Sequence, residues 1–401
     1  MDAEEDGDDD GDDDHEHGVD VDEAGKPVSE HVVVVKIGSN ALVDAQGRLD
    51  RAFLQDIAGQ LARLRLLGKR PVLVSSGAVA SGLGILSLTE RPPGMPERQA
   101  LAAIGQATLA QTWQAALAGH GLVAAQVLLT YDDFTVRSRY VNLTATFAAL
   151  FTYDAIPVIN ENDTVAVEEL TVGDNDRLSA LVASQLGAQT LILLTDIDGV
   201  YDADPREHPG AALMPEIPMV TPRILALAGG ASARGRGGMR SKLEAARLAS
   251  SAGVATHIAF ARTPRIIERL VGGEAIGSHI PARADTARPD GRRRWLAVAR
   301  RIKGQLHIDA GAAQALLHRG RSLLPAGIIK VGGSFQRGDT VAIVAPGGEE
   351  IARGLASLSS DELTQVQGKR LDAAATILGY ALPRAAVQRD NLLLVGHAHE
   401  G

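Results

Sequence analysis

The stretch His31-Val32-Val33-Val34-Val35-Lys36-Ile37-Gly38-Ser39-Asn40 sets an unbroken β-branched run directly before a lysine and a glycine-bearing turn. An apolar run without polar alternation reads as a parallel strand covered on both faces. Ligands of open α/β sheets collect at the carboxyl ends of such strands, where Gly38 would let backbone amides approach an anion without a Cβ in the way. Lys36 therefore reads as the cation of a phosphate site, against the alternative of a lysine snorkelling at a strand end.

Outward from this strand, residues 31 to about 280 alternate apolar runs with helical patterns, the grammar of a parallel sheet with crossover helices. Strands are expected at 32–37, 71–75, 124–129, 156–160, 190–195 and 255–260, and helices at 49–67, 98–118, 138–153, 177–186 and 241–252. The expected fold is α/β, a three-layer α/β/α sandwich on a mainly parallel sheet.

The 401 residues, 45% hydrophobic, suffice for two domains or one large domain with an appendage. Aromatics are only 3%, so the core must be aliphatic. The absence of cysteine excludes disulfides, thiolate nucleophiles and cysteine-ligated clusters. No apolar stretch approaches the roughly 18 residues of a membrane helix, and the first residues are acidic where a presequence would be basic. A cytoplasmic protein without membrane contact is expected. The net charge of −9 is uneven, because residues 1–30 hold 15 Asp/Glu against the single Lys26. The run Asp8-Asp9-Asp10-Gly11-Asp12-Asp13-Asp14 repels itself and buries nothing, so residues 1–30 are expected to be a disordered acidic tail. His15 and His17 beside so many carboxylates offer a weak divalent-cation site at best.

Polar residues gather at the strand ends. Ser75-Ser76-Gly77-Ala78 can surround a carboxylate or phosphate with hydroxyls and amides, although a plain strand-to-helix turn would look similar. Asn160-Glu161-Asn162-Asp163 is denser than a connector needs, and Asn with Asp suits an amine-bearing ligand. In Gly173-Asp174-Asn175-Asp176, two aspartates with an intervening Asn exceed what capping a helix near Asp176 requires. Thr195-Asp196 closes a further strand in the same ligand layer. Arg236-Gly237-Gly238-Met239-Arg240-Ser241-Lys242 enters a helix as a cradle for polyphosphate, with a flexible basic loop as the alternative. It lacks the spacing of a Walker A loop. Two lysines, Lys36 and Lys242, thus reach one sheet edge from opposite ends of the sequence, and no residue is set up as a strong base. That arrangement suits phosphoryl transfer to an acceptor that is already an anion, such as a carboxylate attacking the γ-phosphate of ATP.

This ordered set of motifs, with Lys36-Ile37-Gly38-Ser39 first and Gly237 to Lys242 last, resembles the amino-acid kinase family from about residue 31 to about 392. Within it the closest pattern is the branch that phosphorylates the γ-carboxylate of glutamate. The resemblance also covers Arg137-Ser138-Arg139-Tyr140-Val141-Asn142, a stretch without an evident chemical role. It implies an amino-acid kinase fold with Lys36 and Lys242 on the transferring phosphoryl group and Asp176 orienting them. Ser76, Asp163 and Asn175 would bind L-glutamate, with Asp174 supporting that loop. Thr195, Asp196 and the loop Arg236, Gly237, Gly238, Met239, Arg240, Ser241 and Lys242 would hold ATP. Two departures stand out: Arg236 and Ser241 each occupy a position where the family commonly has Thr. Ser241 keeps the hydroxyl, whereas Arg236 adds a cation near the phosphates.

The resemblance further implies that magnesium arrives with ATP and needs no all-protein site. It implies proline as feedback inhibitor, a glutamyl phosphate reductase as recipient of the acyl phosphate, and a homo-oligomer, a tetramer of kinase domains. Sister kinases acting on aspartate, acetylglutamate, carbamate or a nucleoside monophosphate are the alternative within the family.

After Pro281 the polar basic stretch 282–294 reads as a linker. Beyond it, 322–328, 338–344 and 350–355 read as short strands between tight turns, a small β-barrel resembling a PUA domain. The expected domains are the tail 1–30, a catalytic domain 31–281, the linker 282–294, a PUA-like domain 295–392 and a tail 393–401. Residues 288–401 hold 16 Lys/Arg against 10 Asp/Glu, which makes an RNA-binding protein the rival class. Stacking partners are scarce there, limited to Trp295, Phe335 and Tyr380, and no specific nucleic-acid binding is expected.

Overall fold

A computed structural model describes residues 31–44, 46–166, 175–205, 207–228, 238–283, 302–380 and 385–394. The acidic tail, most of the linker, residues 395–401 and the site candidates Asp174, Arg236 and Gly237 lie outside these residues.

The valine run forms β1 (Val32–Ile37), and every one of its six residues is buried. It is hydrogen-bonded in parallel to β2 (Arg70–Ser75) on one side and to β5 (Thr190–Thr195) on the other. With β3 (Ala124–Leu129), β4 (Ile156–Glu161), β6 (Ala255–Phe260) and β7 (Ser278–Ile280), it makes a seven-stranded sheet of order β3-β4-β2-β1-β5-β6-β7. Only β7 runs antiparallel, against β6. The chain lays β2 beside β1, β3 at the far edge and β4 between β3 and β2, then crosses to the other side of β1 at β5. Lys36 therefore stands at the point where the winding reverses, where an open α/β sheet leaves a crevice at its carboxyl edge.

Two helix layers cover the sheet, and the short helices α1 (Ser39–Leu42), α5 (Asp132–Thr135) and α8 (Pro222–Leu227) lie in its connections. Val32 and Val34 pack with Phe147 of α6 (Arg137–Thr152), Leu181 of α7 (Asn175–Leu186) and Ala246 of α9 (Met239–Ser251). Val33, Val35 and Ile37 point the other way, into Leu54 of α2 (Arg51–Leu66), Trp113 of α4 (Met95–Ala118) and Ile267 of α10 (Ile266–Val271). Burying each such aliphatic side chain contributes roughly 1.5–3 kcal/mol, which explains how so few aromatics suffice. The three-layer expectation holds. Element ends shift by one to three residues for local reasons. Helix α2 starts at Arg51 because the Asp50 side chain accepts from Phe53 N at 3.1 Å. Helix α9 starts at Met239, two residues earlier than expected, because extended Gly238 caps it, and Lys242 falls inside its first turn.

Between β2 and α3 (Ala78–Ile85), Gly77 has φ +110°, a conformation that L side chains rarely adopt. Helices α3 and α4 then cross closely: a Cβ on Gly82 would lie 2.1 Å from Leu101 O, and one on Gly105 would lie 1.9 Å from Ala78 O. This contact fixes α3, whose N-terminus frames the crevice.

The C-terminal part forms a second, five-stranded sheet, β12-β11-β10-β8-β9, from β8 (Gly304–Ile308), β9 (Ile328–Gly333), β10 (Thr340–Val344), β11 (Glu350–Leu355) and β12 (Leu392–Leu394). Strands β10 and β11 lie where expected. The run 322–328 is instead a bridge at Leu323, a 3-10 turn Pro325–Gly327 and the start of β9. Strand β8 and three helices, Ala310–Arg319, Ser360–Val366 and Leu371–Leu378, escaped the sequence reading, because each is short. Tyr140, in the stretch without an evident role, is 3% exposed and packs against Leu355 and Leu393 of this second sheet. Its carbonyl accepts from Gln185 Nε2 on α7 at 2.9 Å, so α6 ties the C-terminal sheet to the helix that opens at the crevice. No helix among the described residues is long and apolar enough to cross a membrane.

Candidate active site

The site forms where β1, β2, β4 and β5 end and where α7 and α9 begin. Asp176, in the first turn of α7, is fully buried, and its carboxylate gathers both lysines. Lys36 Nζ donates to Oδ1, and Lys242 Nζ donates to Oδ2 at 3.1 Å. Ser241 Oγ donates to the same Oδ2 at 2.9 Å and also lies 2.8 Å from Gly238 O. Lys36 and Lys242 are 3% and 5% exposed. Two buried lysines thus share one buried carboxylate, and the charge of Lys242 also reaches Asp196. Cations held so close together away from water attract an arriving anion strongly.

One residue earlier on α7, Asn175 faces the neighbouring cleft. Its Nδ2 lies 2.9 Å from Ser76 Oγ, 2.9 Å from Asn160 Oδ1 and 3.3 Å from Ser75 O. Asn160 is itself held, with Nδ2 donating to Gln106 Oε1 at 2.7 Å and Oδ1 accepting from Glu161 N at 2.9 Å. Ser75 Oγ accepts from Trp113 Nε1 at 2.8 Å, which anchors the turn from the core. The cleft beside Asn175 is a cavity of ≈ 150 Å³ whose wall includes Ser76, Arg91, Asn160, Glu161, Asp163 and Asn175. Asn175 and Asp176, adjacent in sequence, thus join the cleft to the lysine cluster.

On the β5 side, Thr195 is 5% exposed and its Oγ1 donates to Asp196 Oδ1 at 3.0 Å. Asn40 Nδ2 donates to Asp196 Oδ2, also at 3.0 Å. Burial pushes the Asp196 carboxyl up, but the hydrogen bonds from Asn40 and Thr195, with the charge of Lys242, outweigh it and hold its pKa below the ordinary value. The carboxylate is therefore ionised at neutral pH.

Ser76, Asp163, Asn175, Asp176, Lys36 and Lys242 are all brought to this crevice. Thr195 and Asp196 lie on its β5 side, and Gly238 and Ser241 at the α9 N-terminus. Met239 and Arg240 turn away: the first packs against the core, and exposed Arg240 reaches Glu244 one turn along α9 at 3.2 Å. The Gly38 amide is not offered to an anion, because it donates to Leu194 O at 3.2 Å. That bond carries the pairing of β1 with β5 one residue past Ile37 and fixes the exit of Lys36. Among the described residues no cluster of three or more His, Asp or Glu could hold a metal ion.

The Amino acid kinase family matches residues 31–259, and the PUA domain matches residues 304–378. The chain belongs to the amino acid kinase family. A glutamate 5-kinase of Pseudomonas fluorescens is 48% identical over 365 residues, 90% of this chain and 97% of that protein. The glutamate 5-kinase of Thermus thermophilus is 46% identical over 362 residues, and that of Burkholderia multivorans 44% over 364, each spanning 90% of this chain.

Three residues of this amino acid kinase site escaped the sequence reading. Arg91 lies in the connection from α3 to α4, where nothing local distinguishes it from a solvated loop residue. Gln106 lies mid-helix and meets Asn160 across 54 residues of sequence. Asn40 was visible beside Lys36, but its partner Asp196 is 156 residues away.

Proposed function

We propose that this chain transfers the γ-phosphoryl group of ATP to the γ-carboxylate of L-glutamate, giving L-glutamyl 5-phosphate at the head of proline biosynthesis. The observation that carries the proposal is the buried Asp176 joined by Lys36 and Lys242, one residue from an amino-acid-sized cleft. Ser76, Asp163 and Asn175 hold glutamate, with Asp174 supporting the loop, and its γ-carboxylate faces the lysines. A carboxylate oxygen attacks the γ-phosphorus in line, the bond to the β,γ-bridging oxygen breaks, and ADP leaves with that electron pair. No proton moves, so no general base is needed. Lys36 and Lys242 offset the repulsion between the two anions and the charge that develops on the bridging oxygen. Asp176 keeps both ammonium groups aimed at one point.

Thr195, Asp196 and the loop from Arg236 to Lys242 hold the nucleotide. Met239 and Arg240 act there through backbone amides at the N-terminus of α9, since their side chains are engaged elsewhere. Magnesium would accompany the triphosphate and help to neutralise its charge. Residues 31–281 are the catalytic domain and 295–392 the PUA-like domain. Proline as feedback inhibitor, a reductase that receives the labile acyl phosphate, a homotetramer and a cytoplasmic location complete the proposal.

The test is ATP consumption with L-glutamate and magnesium, trapping the acyl phosphate as its hydroxamate, with and without proline. Glutamate-dependent hydroxamate that proline suppresses is the expected result. Faster turnover of aspartate, acetylglutamate, carbamate or a nucleoside monophosphate would reject the glutamate assignment. Saturable, sequence-selective retention of RNA at physiological salt would restore the RNA-binding reading.

A further inference from the structure

We infer that Arg91 is the residue that recognises the α-carboxylate of the substrate and so makes this site select a whole amino acid over any anion that carries a reactive carboxylate. The inference rests on the glutamate reading above and deepens it. Of the described residues that line the cleft, Arg91 is the sole base, and Glu161 and Asp163 are the acids. Glutamate brings three charges to such a cleft. Its γ-carboxylate must face Lys36 and Lys242 for transfer, which leaves an ammonium and an α-carboxylate to be matched. The two acids suit the ammonium. The guanidinium suits the carboxylate, because its planar fork meets two carboxylate oxygens at once.

The placement is mechanically sound. Arg91 lies in the connection between α3, ending at Ile85, and α4, starting at Met95. These two helices are locked by the close approach at Gly82 and Gly105. The α3 N-terminus also lines the cleft through Gly77 and Ala78, so the helix pair that presents the amides near Ser76 also anchors both ends of the connection that carries Arg91. Arg91 is exposed, which means that replacing it does not disturb the core.

The experiment compares the full-length chain with its Arg91→Gln and Arg91→Lys variants on two acceptors, L-glutamate and L-isoglutamine. The second keeps the γ-carboxylate and the ammonium and turns only the α-carboxylate into an amide. The wild type should strongly prefer glutamate. Arg91→Gln should raise the KM for glutamate about 10- to 100-fold, the range expected when a charge-assisted pair is lost, with a smaller change in kcat. The KM values for ATP and isoglutamine should hardly move, so that selectivity collapses, and Arg91→Lys should recover part of it. A variant that keeps the preference, or that loses equally on both acceptors, overturns the inference and leaves the α-carboxylate to the amides of α3. A wild type inactive on glutamate overturns the glutamate reading and this inference with it. A wild type active on both acceptors alike overturns the inference alone.

Discussion

Asp176 and Glu362 are both carboxylates at helix starts that accept from several donors, and their surroundings are opposite. Asp176 is fully buried and meets two lysines and a serine. Glu362, in the C-terminal part, keeps a side-chain exposure of 23% and meets Arg337, Tyr380 and the backbone N–H of Ser359. The first cluster gathers two cations on one carboxylate in a dry place. The second is self-neutral and screened by water. Cations gathered away from water act strongly on an anionic ligand, whereas a surface pair of matched charges adds only a modest increment of stability. The two halves of the molecule thus use the same side-chain chemistry for different ends, one for reactivity and one for capping a helix.

The largest test of this contrast is removal of a lysine. Lys36→Ala or Lys242→Ala should cut kcat roughly 10²- to 10³-fold or more, with a much smaller effect on the KM for glutamate, because the charge is needed most as the transferring group develops charge. Steady-state hydroxamate kinetics read both parameters. Near-normal turnover in a folded variant would make the cluster structural and erase the difference from Glu362.

Next in size is Asn175→Ala, which removes the amide shared by Ser76, Asn160 and Ser75. The KM for glutamate should rise about 10- to 100-fold while kcat falls less. A kcat effect equal to that of the lysine variants would mean that the cleft and the cluster act as one unit.

Much of this division could be read before any coordinates. The valine run ending in Lys36 announces both the central strand and the crevice, because an unbroken β-branched run before a glycine-bearing turn suits a fully buried parallel strand. Asn160 to Asp163 and Asn175-Asp176 are conspicuous because they are too polar for turns that need so little. What stayed hidden depends on distance along the chain. Lys36 and Asp176 are 140 residues apart, and nothing local says that one carboxylate serves both lysines. Arg91 is an ordinary loop arginine until α3 and α4 are packed. Tyr140 looks like a helix-core residue, and only the second sheet shows what it seats. Strands β8 and β12 are five and three residues long and lack the buried run that makes β1 obvious.

Acid divides the two halves further. Burial, with the nearby charge of His279, lowers the pKa of His257 on β6 from 6.5 to about 4, and the two rings stack with centroids 4.7 Å apart. A histidine whose folded pKa is depressed favours the folded state fully above its unfolded value. That contribution is lost as pH falls from about 6.5 towards about 4, since the unfolded chain then binds the extra proton. The kinase sheet should lose on the order of 2 kcal/mol over this window, and His257→Gln should flatten the loss. Urea unfolding between pH 7 and 4.5, followed by amide exchange in β6 and β7, measures it; an equal slope in the variant would place the acid sensitivity elsewhere.

The smallest effect belongs to Glu362. Its hydrogen bonds and ion pair with Arg337 lead the causes that lower its pKa from 4.5 to about 2. Here too the folded pKa is depressed, so the stabilisation is complete above about 4.5 and is lost as pH falls through about 2. Solvent screening limits it to about 1 kcal/mol. Glu362→Gln should therefore weaken protection of the Ser360–Val366 helix modestly at neutral pH, by loss of the capping-box carboxylate, and leave kcat and the KM for glutamate unchanged. Amide exchange in that helix reads the first effect, and hydroxamate kinetics the second. A fall in turnover would show that the C-terminal sheet, seated on Tyr140 and linked through Gln185 to α7, transmits its own stability to Asp176. The contrast between a reactive half and a merely structural half would then have to be given up.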